Sequence, residues 1–217
     1  MFSIESFNQT FKTETIPVTI GNKPFTFLVP KNLDEVLDSS DGKNQFPLWV
    51  KIWEASLVLA DHLAKQNHTS KTLLELGAGL GAIGIVAESF GYQVTATEYD
   101  SQALQFLMAN AHKNECKTMQ IQHLDWHKPD INGTFDIIVG SELIYKEDDF
   151  DPLIALFQKY LAPDGQILLA NEPRKTYEPF LDILKKWYRI EIWRKRLRAS
   201  DQTKTILLTR LSGKNNA

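Results

Sequence analysis

The sequence is poor in cysteine and in long apolar runs. Its one cysteine, Cys116, cannot form a disulfide within the chain, so a disulfide-stapled fold is excluded and a reducing compartment is expected. The most apolar stretch, residues 73–87, is interrupted by Glu75 and by glycines. A membrane helix needs roughly 20 apolar residues. No signal-peptide or lipidation pattern is seen either, so we predict a cytoplasmic protein without membrane contact.

Basic residues are not in excess. Lys plus Arg number 24 and Asp plus Glu number 27, which gives a net charge of −3. A protein that coats nucleic acid is normally basic, so nucleic acid is not the expected partner. Residues 185–198 nevertheless hold seven Lys and Arg residues and one acid. We interpret this segment as a solvated surface, with binding of an acidic protein or RNA as the alternative.

Strand-like and helix-like segments alternate from residue 71 onward. Helices are predicted at 82–90, 102–113, 150–161 and 177–187, and strands at 71–76, 93–97, 119–124, 135–139, 166–170, 190–193 and 205–209. This alternation predicts an α/β fold, with a mostly parallel, doubly wound sheet that has helices on both faces. Ligands on such sheets bind beyond the carboxyl ends of the strands, so the chemistry is expected there.

The beginning of the chain does not share this alternation. Two strand-like runs, 15–20 and 25–29, flank a turn that contains glycine and proline, which predicts a β-hairpin. We therefore divide the chain into an N-terminal extension of hairpin and loop, residues 1–45, and a ligand-binding domain, residues 46–217.

The connection between these two parts is polar. Residues 39–45 are predicted to form a loop, because they consist of small and polar side chains. Pro47 is predicted to open a helix, since proline is well tolerated in the first helical turn. Trp53 shares one face of that helix with later apolar residues at helical spacing.

A glycine-rich turn, residues 75–84 with the sequence ELGAGLGAIG, joins the first strand of the alternating region to its helix. The pattern G-x-G-x-x-G from residue 79 would suit a dinucleotide, whereas G-x-G-x-G from Gly77 through Gly79 would suit S-adenosylmethionine (SAM). Charge favours SAM. Glu75 would repel a pyrophosphate but attract the SAM ammonium, and residues 72–94 contain no Lys or Arg. A turn without any ligand is the third alternative.

Acidic and aromatic residues follow the next two strands. Glu98 ends the second strand of the region, where a carboxylate can accept both ribose hydroxyls of a nucleoside cofactor. Asp125 and Trp126 follow the third strand. The indole offers a flat surface for adenine, and the carboxylate offers an acceptor for its exocyclic amine. His123 and His127 lack a third ligand, so no metal is predicted.

Five short segments carry a more specific signal through their order and spacing. They are residues 53–57, 74–81, 94–99, 124–126 and 136–145, which read WEASL, LELGAGLG, VTATEY, LDW and DIIVGSELIY. Together they resemble methyltransferase family 16, the seven-β-strand protein lysine methyltransferases, from residue 46 to the end of the chain. The resemblance implies a Rossmann-like class I methyltransferase fold and SAM as cofactor. It implies cofactor contacts from Trp53, Glu75, Gly77, Gly79, Glu98 and Trp126, to which we add Asp125 and Ser141.

Residues 142–145, which read ELIY, are the candidates for binding the group that accepts the methyl. The family usually carries Asp-x-x-Tyr here, whereas this sequence has Glu142 and Tyr145, so its acid is longer by one methylene. Relatives that methylate histidine in proteins also carry Glu, which leaves histidine open beside lysine. We predict that Glu142 orients or deprotonates a lysine amine and that Tyr145 forms a wall of its pocket. A dry aromatic pocket would help the amine to lose its proton.

Four functions remain open at this point. The first is methyl transfer from SAM to a lysine ε-amine of a protein substrate. The second is transfer to a protein histidine or to a small amine. An NAD-dependent oxidoreductase and a SAM-binding adaptor without activity are the other two. Nothing in the sequence requires more than a monomer.

Overall fold

The computed structural model describes residues 2–32, 36, 47–66, 70–199 and 202–214. Its helices are α1 (Ile4–Thr10), α2 (Glu54–Ala64), α3 (Ala82–Ser89), α4 (Ser101–Lys113), α5 (Phe150–Tyr160) and α6 (Tyr177–Leu184). Its strands are β1 (Thr13–Ile20), β2 (Lys23–Pro30), β3 (Thr72–Leu76), β4 (Gln93–Glu98), β5 (Gln120–His123), β6 (Phe135–Ser141), β7 (Leu161–Asn171), β8 (Tyr188–Ala199) and β9 (Gln202–Gly213). Short 3-10 turns span Leu48–Val50 and Glu147–Asp149.

Seven strands form one sheet in the order β5-β4-β3-β6-β7-β9-β8. The strands from β3 to β7 run parallel, and β9 and β8 are antiparallel additions at one edge. The predicted mostly parallel seven-stranded sheet is therefore confirmed. The chain leaves β3 toward β4 on one side and later returns to β6 on the other. A crevice between neighbouring strand ends forms at such a reversal, so the site is expected beyond β3 and β6.

Helices cover both faces of the sheet, as predicted. On one face, α2 buries Leu59 and Leu63, which lie four residues apart and therefore on the same side of the helix. On the other face, α5 buries Leu153 and Phe157 at the same spacing. The two apolar clusters fix the sheet between the helices and leave its carboxyl edge for the functional loops.

The predicted N-terminal hairpin is confirmed and packs on α4. β1 and β2 pair antiparallel from residue 13 opposite residue 30 to residue 20 opposite residue 23. Asn110 of α4 is fully buried, and its amide oxygen accepts from the backbone N–H of Leu28 at 2.6 Å. Its amide nitrogen donates to the carbonyls of Leu28 at 3.1 Å and Leu80 at 3.0 Å. Because Leu80 lies in the glycine turn, Asn110 joins the hairpin to that turn.

Replacing Asn110 by Ala is expected to lower the free energy of unfolding by about 3 kcal/mol, because the three hydrogen bonds of its buried side chain are lost and their partly buried backbone partners are left unpaired. Asn114 is the matched control. It also holds β2, through the backbone N–H and carbonyl of Thr26, but none of its described hydrogen bonds reaches the glycine turn. Urea unfolding of both alanine variants measures the loss of stability, and SAM titration of both tests whether the hairpin is linked to the glycine turn. Equal SAM affinities in the two variants would contradict a link from the hairpin to the turn.

Three local predictions need correction. The helix predicted from Pro47 begins only at Glu54, because Lys51 and Trp53 have extended backbone angles after the 3-10 turn. The strand predicted at 166–170 is longer, since β7 already pairs through Leu161 and skips residues 162–165 as a bulge. Helix α1, capped by the hydroxyl of Ser3, was missed. The predicted loop 39–45 and the boundary at residue 45 lie outside the described residues.

Strand β8 forms the exposed edge of the sheet and carries part of the basic segment. Arg194, Lys195 and Arg196 are exposed there. Charged side chains on an edge strand oppose pairing with another chain, which agrees with a solvated surface. The described part of the chain contains no helix whose length and apolar character would let it span a bilayer.

Candidate active site

The glycine turn between β3 and α3 has a shape that most residues would not allow. Gly77, Gly79 and Gly81 have φ angles of 60°, 53° and 82°, a region that L-residues with side chains rarely adopt. A Cβ atom at Gly77 would also lie 2.9 Å from Cδ2 of Leu143. The turn therefore brings bare backbone to the carboxyl edge of the sheet, beside the segment that follows β6.

Glu98 stands next to this turn, as the sequence predicts. One of its carboxylate oxygens accepts from the backbone N–H of Gly79 at 2.8 Å. The other accepts from Tyr99 at 2.7 Å and from Asp100 at 3.0 Å. Burial raises the pKa of Glu98, and these three N–H groups oppose the rise. A carboxylate can accept about four hydrogen bonds, so capacity is left for a ribose hydroxyl.

Trp126 reaches the same turn from the other side. Its ring carbon Cζ2 lies 3.6 Å from the position of a Cβ on Gly77, and the residue is partly buried against the main apolar cluster. Asp125 instead accepts from the backbone N–H of His127 at 2.9 Å and so stabilises a local turn. The indole is thus placed where an adenine could stack, while the role of Asp125 in binding the adenine amine stays a prediction.

Glu75 lies behind the glycine turn rather than on its open side. It is 1% exposed, and its carboxylate accepts from the backbone N–H of Gly84 at 3.0 Å. Burial raises the pKa of Glu75 to about 8. In this arrangement the side chain contacts the first turn of α3. Its predicted direct contact with the SAM ammonium stays a prediction.

The buried carboxyl of Glu75 should make stability depend on pH. Its pKa rises from 4.5 to about 8 on folding, so the folded chain holds a proton that the unfolded chain releases, and stability falls as pH increases through that range. Glu75→Gln keeps an oxygen for Gly84 and removes the titration. Without SAM, the variant should unfold at higher urea than the wild type at pH 8, and the two should converge near pH 4.5.

A difference between wild type and Glu75→Gln that does not change with pH would contradict this account. At a pH above 8, where the Glu75 carboxyl of the wild type is ionised, the same pair of proteins tests the ammonium contact, because an amide lacks the charge that attracts a cation. SAM affinity that is unchanged by Glu75→Gln would refute the predicted contact.

Trp53 and Trp49 lie in the segment before α2. The indole N–H of Trp53 donates to the carbonyl of Leu48 at 2.5 Å, and Nζ of Lys51 lies 3.7 Å from the Trp53 ring centroid. Trp49 was not predicted. Its Cβ lies 3.4 Å from the position of a Cβ on Gly79. Its ring packs on Phe106, with the ring centroids 5.2 Å apart, and its buried indole nitrogen has no hydrogen-bond partner among the described residues.

The second half of the site follows β6. Ser141 ends the strand beside Ala170, and Glu142 comes next with a φ angle of 53°, which is unusual for a residue with a side chain. Glu142 is 5% exposed. One of its carboxylate oxygens accepts from the backbone N–H of Glu172 at 2.6 Å. The strained backbone turns this carboxylate toward the carboxyl end of β7.

Arg174 completes the surroundings of Glu142. Its Nη2 and Nε donate to the second carboxylate oxygen at 2.8 and 3.1 Å. Its guanidinium carbon also lies 4.7 Å from the ring centroid of Tyr145. Burial raises the pKa of Glu142, whereas Glu172 N–H and Arg174 lower it. Burial also raises the pKa of Tyr145 to about 12, so its phenol stays neutral. The predicted pair of Glu142 and Tyr145 is thus brought together, and Arg174, which the sequence analysis does not single out, contacts both.

Comparison with known proteins assigns the chain to a family. The family model described as lysine methyltransferase matches residues 35–187, which is more than half of the chain. The chain belongs to this family. The chain is 33% identical to the zebrafish (Danio rerio) protein N-lysine methyltransferase METTL21A over 150 residues, 64% of this chain and 68% of that protein. It is 31% identical to the mouse (Mus musculus) EEF1A lysine methyltransferase 3, covering 58% of this chain and 57% of that protein.

Solved structures show the same fold. A Thermus 16S rRNA N2 G1207 methyltransferase, solved with AdoMet and guanosine, has a TM-score of 0.67 at 21% identity over 93% of this chain and 51% of that one. A precorrin-6y C5,15-methyltransferase from Geobacter metallireducens has a TM-score of 0.64 at 15% identity, covering 77% of this chain and 91% of that one. The predicted class I methyltransferase fold and family are confirmed.

This lysine methyltransferase is a SAM-dependent enzyme, as predicted, and its described residues fit that cofactor. Gly77 and Gly79 are partly exposed, and Glu98 has acceptor capacity beside them. The surroundings of the turn are acidic rather than basic, which suits a cation and not a pyrophosphate. The dinucleotide alternative is therefore set aside.

Proposed function

We propose that this enzyme methylates the ε-amine of a lysine in a protein substrate and that the amine binds between Glu142 and Tyr145. The observation that carries the proposal is the buried carboxylate of Glu142 beside the aromatic ring of Tyr145. The residue after Glu142 is Leu143, whose side chain lies against Gly77. A carboxylate and an aromatic face are the two groups that attract an alkylammonium. Because both groups lie beside the glycine turn, an amine bound between them would be close to the cofactor.

The cofactor would be held by residues on the other side of that turn. We assign the backbone of Gly77 and Gly79 to its amino-acid end, Glu98 to the ribose hydroxyls and the ring of Trp126 to adenine. When bound, SAM supplies a methyl group on a sulfonium, a reactive electrophile with a good leaving group. Trp53, Ser141, Asp125 and Glu75 remain predicted contacts.

The enzyme's own task is to present a neutral amine in line with that methyl group. A lysine ammonium has a pKa of about 10.4 in water, so it must lose a proton before it can attack. The ammonium binds between Glu142 and the Tyr145 ring and loses its proton to water, and Glu142 accepts a hydrogen bond from the neutral amine and orients it. Holding the nitrogen at attack distance supplies much of the rate.

A protein acceptor is supported by the names of the relatives, which are protein N-lysine and EEF1A lysine methyltransferases. The described parts of a single chain hold every residue of the site, so we propose that a monomer suffices. We also keep the division into a hairpin extension, residues 1–45, and a SAM-binding domain, residues 46–217. The single cysteine agrees with action in the cytoplasm.

Transfer of a labelled methyl group from SAM into cell-extract proteins tests the proposal. The labelled protein is hydrolysed in acid, and the methylated amino acid is identified by chromatography. Heat-inactivated enzyme provides the control. We expect the label in methyl-lysine. Label in methyl-histidine, or no protein label despite measurable SAM binding, would contradict the proposal.

A further inference from the structure

Arg174 lies in the place that the proposed function gives to the substrate amine. The guanidinium donates to Glu142 through Nη2 and Nε and covers the ring of Tyr145 at 4.7 Å. A lysine ammonium would need the same carboxylate and the same aromatic face. Two cations held against the same carboxylate oxygen and the same face of the ring would repel each other, so Arg174 and the substrate compete.

The position of Arg174 in the chain allows it to leave. It belongs to the irregular segment between β7 and α6, and its side chain is 37% exposed, whereas that of Glu142 is 4% exposed. A swing of Arg174 into water therefore moves one long side chain and leaves the carboxylate in place. Because the incoming lysine is also a cation, Glu142 never stays buried without a partner, which would be costly.

An arginine is a suitable occupant of a site that faces a methyl donor. Its guanidinium stays protonated at any pH that the enzyme meets, so it has no free amine lone pair for attack. It can thus hold Glu142 in its strained conformation without being consumed. A lysine at the same position would lack this protection.

The side-chain amide of Asn171, near Glu142, supports a site in which further contacts form when a ligand binds. Asn171 ends β7, next to Glu172, whose N–H binds Glu142. It is 1% exposed, and both polar atoms of its side chain lack a partner among the described residues. Buried amides are normally hydrogen-bonded, so the polar surroundings here are incomplete in the substrate-free chain.

We propose that Arg174 occupies the acceptor subsite in the substrate-free enzyme and that the substrate lysine displaces it from Glu142 and Tyr145. This inference rests on the proposed function and adds a residue that sets the affinity for the acceptor. If Arg174 occupies the subsite about nine-tenths of the time, the apparent Kd of the competing lysine is about tenfold higher than it would be for an empty subsite. Removing Arg174 should therefore tighten acceptor binding rather than weaken it.

The first test measures binding and needs no cofactor. Nα-acetyl-lysine amide is titrated calorimetrically into wild type and Arg174→Ala at the same alkaline pH. We expect a Kd about tenfold lower for the variant. Arg189→Ala, on the exposed surface of β8, is the matched control and should match the wild type. A Kd in Arg174→Ala equal to or higher than that of the wild type would overturn the inference.

The second test uses Arg174→Lys, which keeps a cation. Nζ of lysine lies as many bonds from Cα as Cζ of arginine, so the amine would stand near the Tyr145 ring. With SAM and no substrate, the side chain should methylate itself at position 174. A nitrogen–carbon bond forms, the sulfur–methyl bond breaks, and the ammonium proton leaves to water.

Peptide mass spectrometry identifies the methylated position. We expect methyl on residue 174 of Arg174→Lys and none on the wild-type peptide, which contains the neighbouring Lys175, or on Arg189→Lys at position 189. A variant that labels lysine in extract proteins but never position 174 would contradict an occupied acceptor subsite. The wild-type extract assay stands apart from both tests, because absence of methyl-lysine there refutes the proposed function itself.

Discussion

Replacing Glu142 by Gln is expected to lower the rate of methyl transfer by at least about 100-fold, the usual size of a general-base or orienting contribution. The amide has the shape of the carboxylate but lacks its charge, so it cannot draw the amine into place. Its NH₂ group would also face a donor, either the N–H of Glu172 or Arg174. SAM affinity should stay within about threefold, because the glycine turn is unchanged.

Two further variants separate charge from shape at this site. Glu142→Asp keeps the charge and restores the acid that the family usually carries, so it should retain activity within about tenfold. Glu172→Gln removes a neighbouring, more exposed carboxylate, which lies 3.8 Å from Lys204, and should leave the rate almost unchanged. Methyl transfer to extract protein is measured for each purified variant. Full activity in Glu142→Gln would refute the role of its charge.

Replacing Glu98 by Gln is expected to raise the Kd for SAM about 100-fold, which corresponds to about 3 kcal/mol. Three backbone N–H groups need acceptors on both oxygens of this carboxylate. An amide offers one oxygen and turns an NH₂ group toward the remaining donors, which leaves at least one backbone N–H unpaired. The glycine turn would lose its contact at Gly79, and the ribose would lose a charged acceptor.

The matched control for Glu98→Gln is Asp100→Asn, the same change of acid to amide two residues later. Asp100 caps α4 by accepting from the N–H groups of Gln102 and Ala103, and asparagine caps equally well. Calorimetric titration of SAM should therefore find the control within about threefold of the wild type. A Glu98→Gln variant that binds SAM as tightly as its control would show that the carboxylate does not contact the cofactor.

Local spacing predicts the cofactor half of this site well. The glycine turn directly follows an apolar strand, and Glu98 ends the next one, so parallel pairing of β3 with β4 brings them together. Register in a parallel sheet follows from the apolar pattern, which is visible in the sequence. The same reasoning places Glu142 at the end of β6, beside β3.

Contacts between distant segments are what the sequence does not reveal. Arg174 meets Glu142 across 32 residues, and Asn110 meets Leu28 across 82. Neither pair has a periodic signature, because single polar contacts depend on how the elements pack. The hydrogen bond between Gly84 and Glu75 is likewise not visible in the sequence. The position of Glu75 in the chain indicates the glycine turn, but the strand's alternation directs its side chain inward, toward α3.

The central claim is that the acceptor amine binds between Glu142 and Tyr145, and a crystal structure of a complex tests it most directly. The enzyme would be crystallised with S-adenosylhomocysteine and Nα-acetyl-lysine amide. We predict the ε-nitrogen about 3 Å from a carboxylate oxygen of Glu142 and over the ring of Tyr145. A lysine bound elsewhere along the carboxyl edge, with neither residue in contact with its amine, would contradict the account.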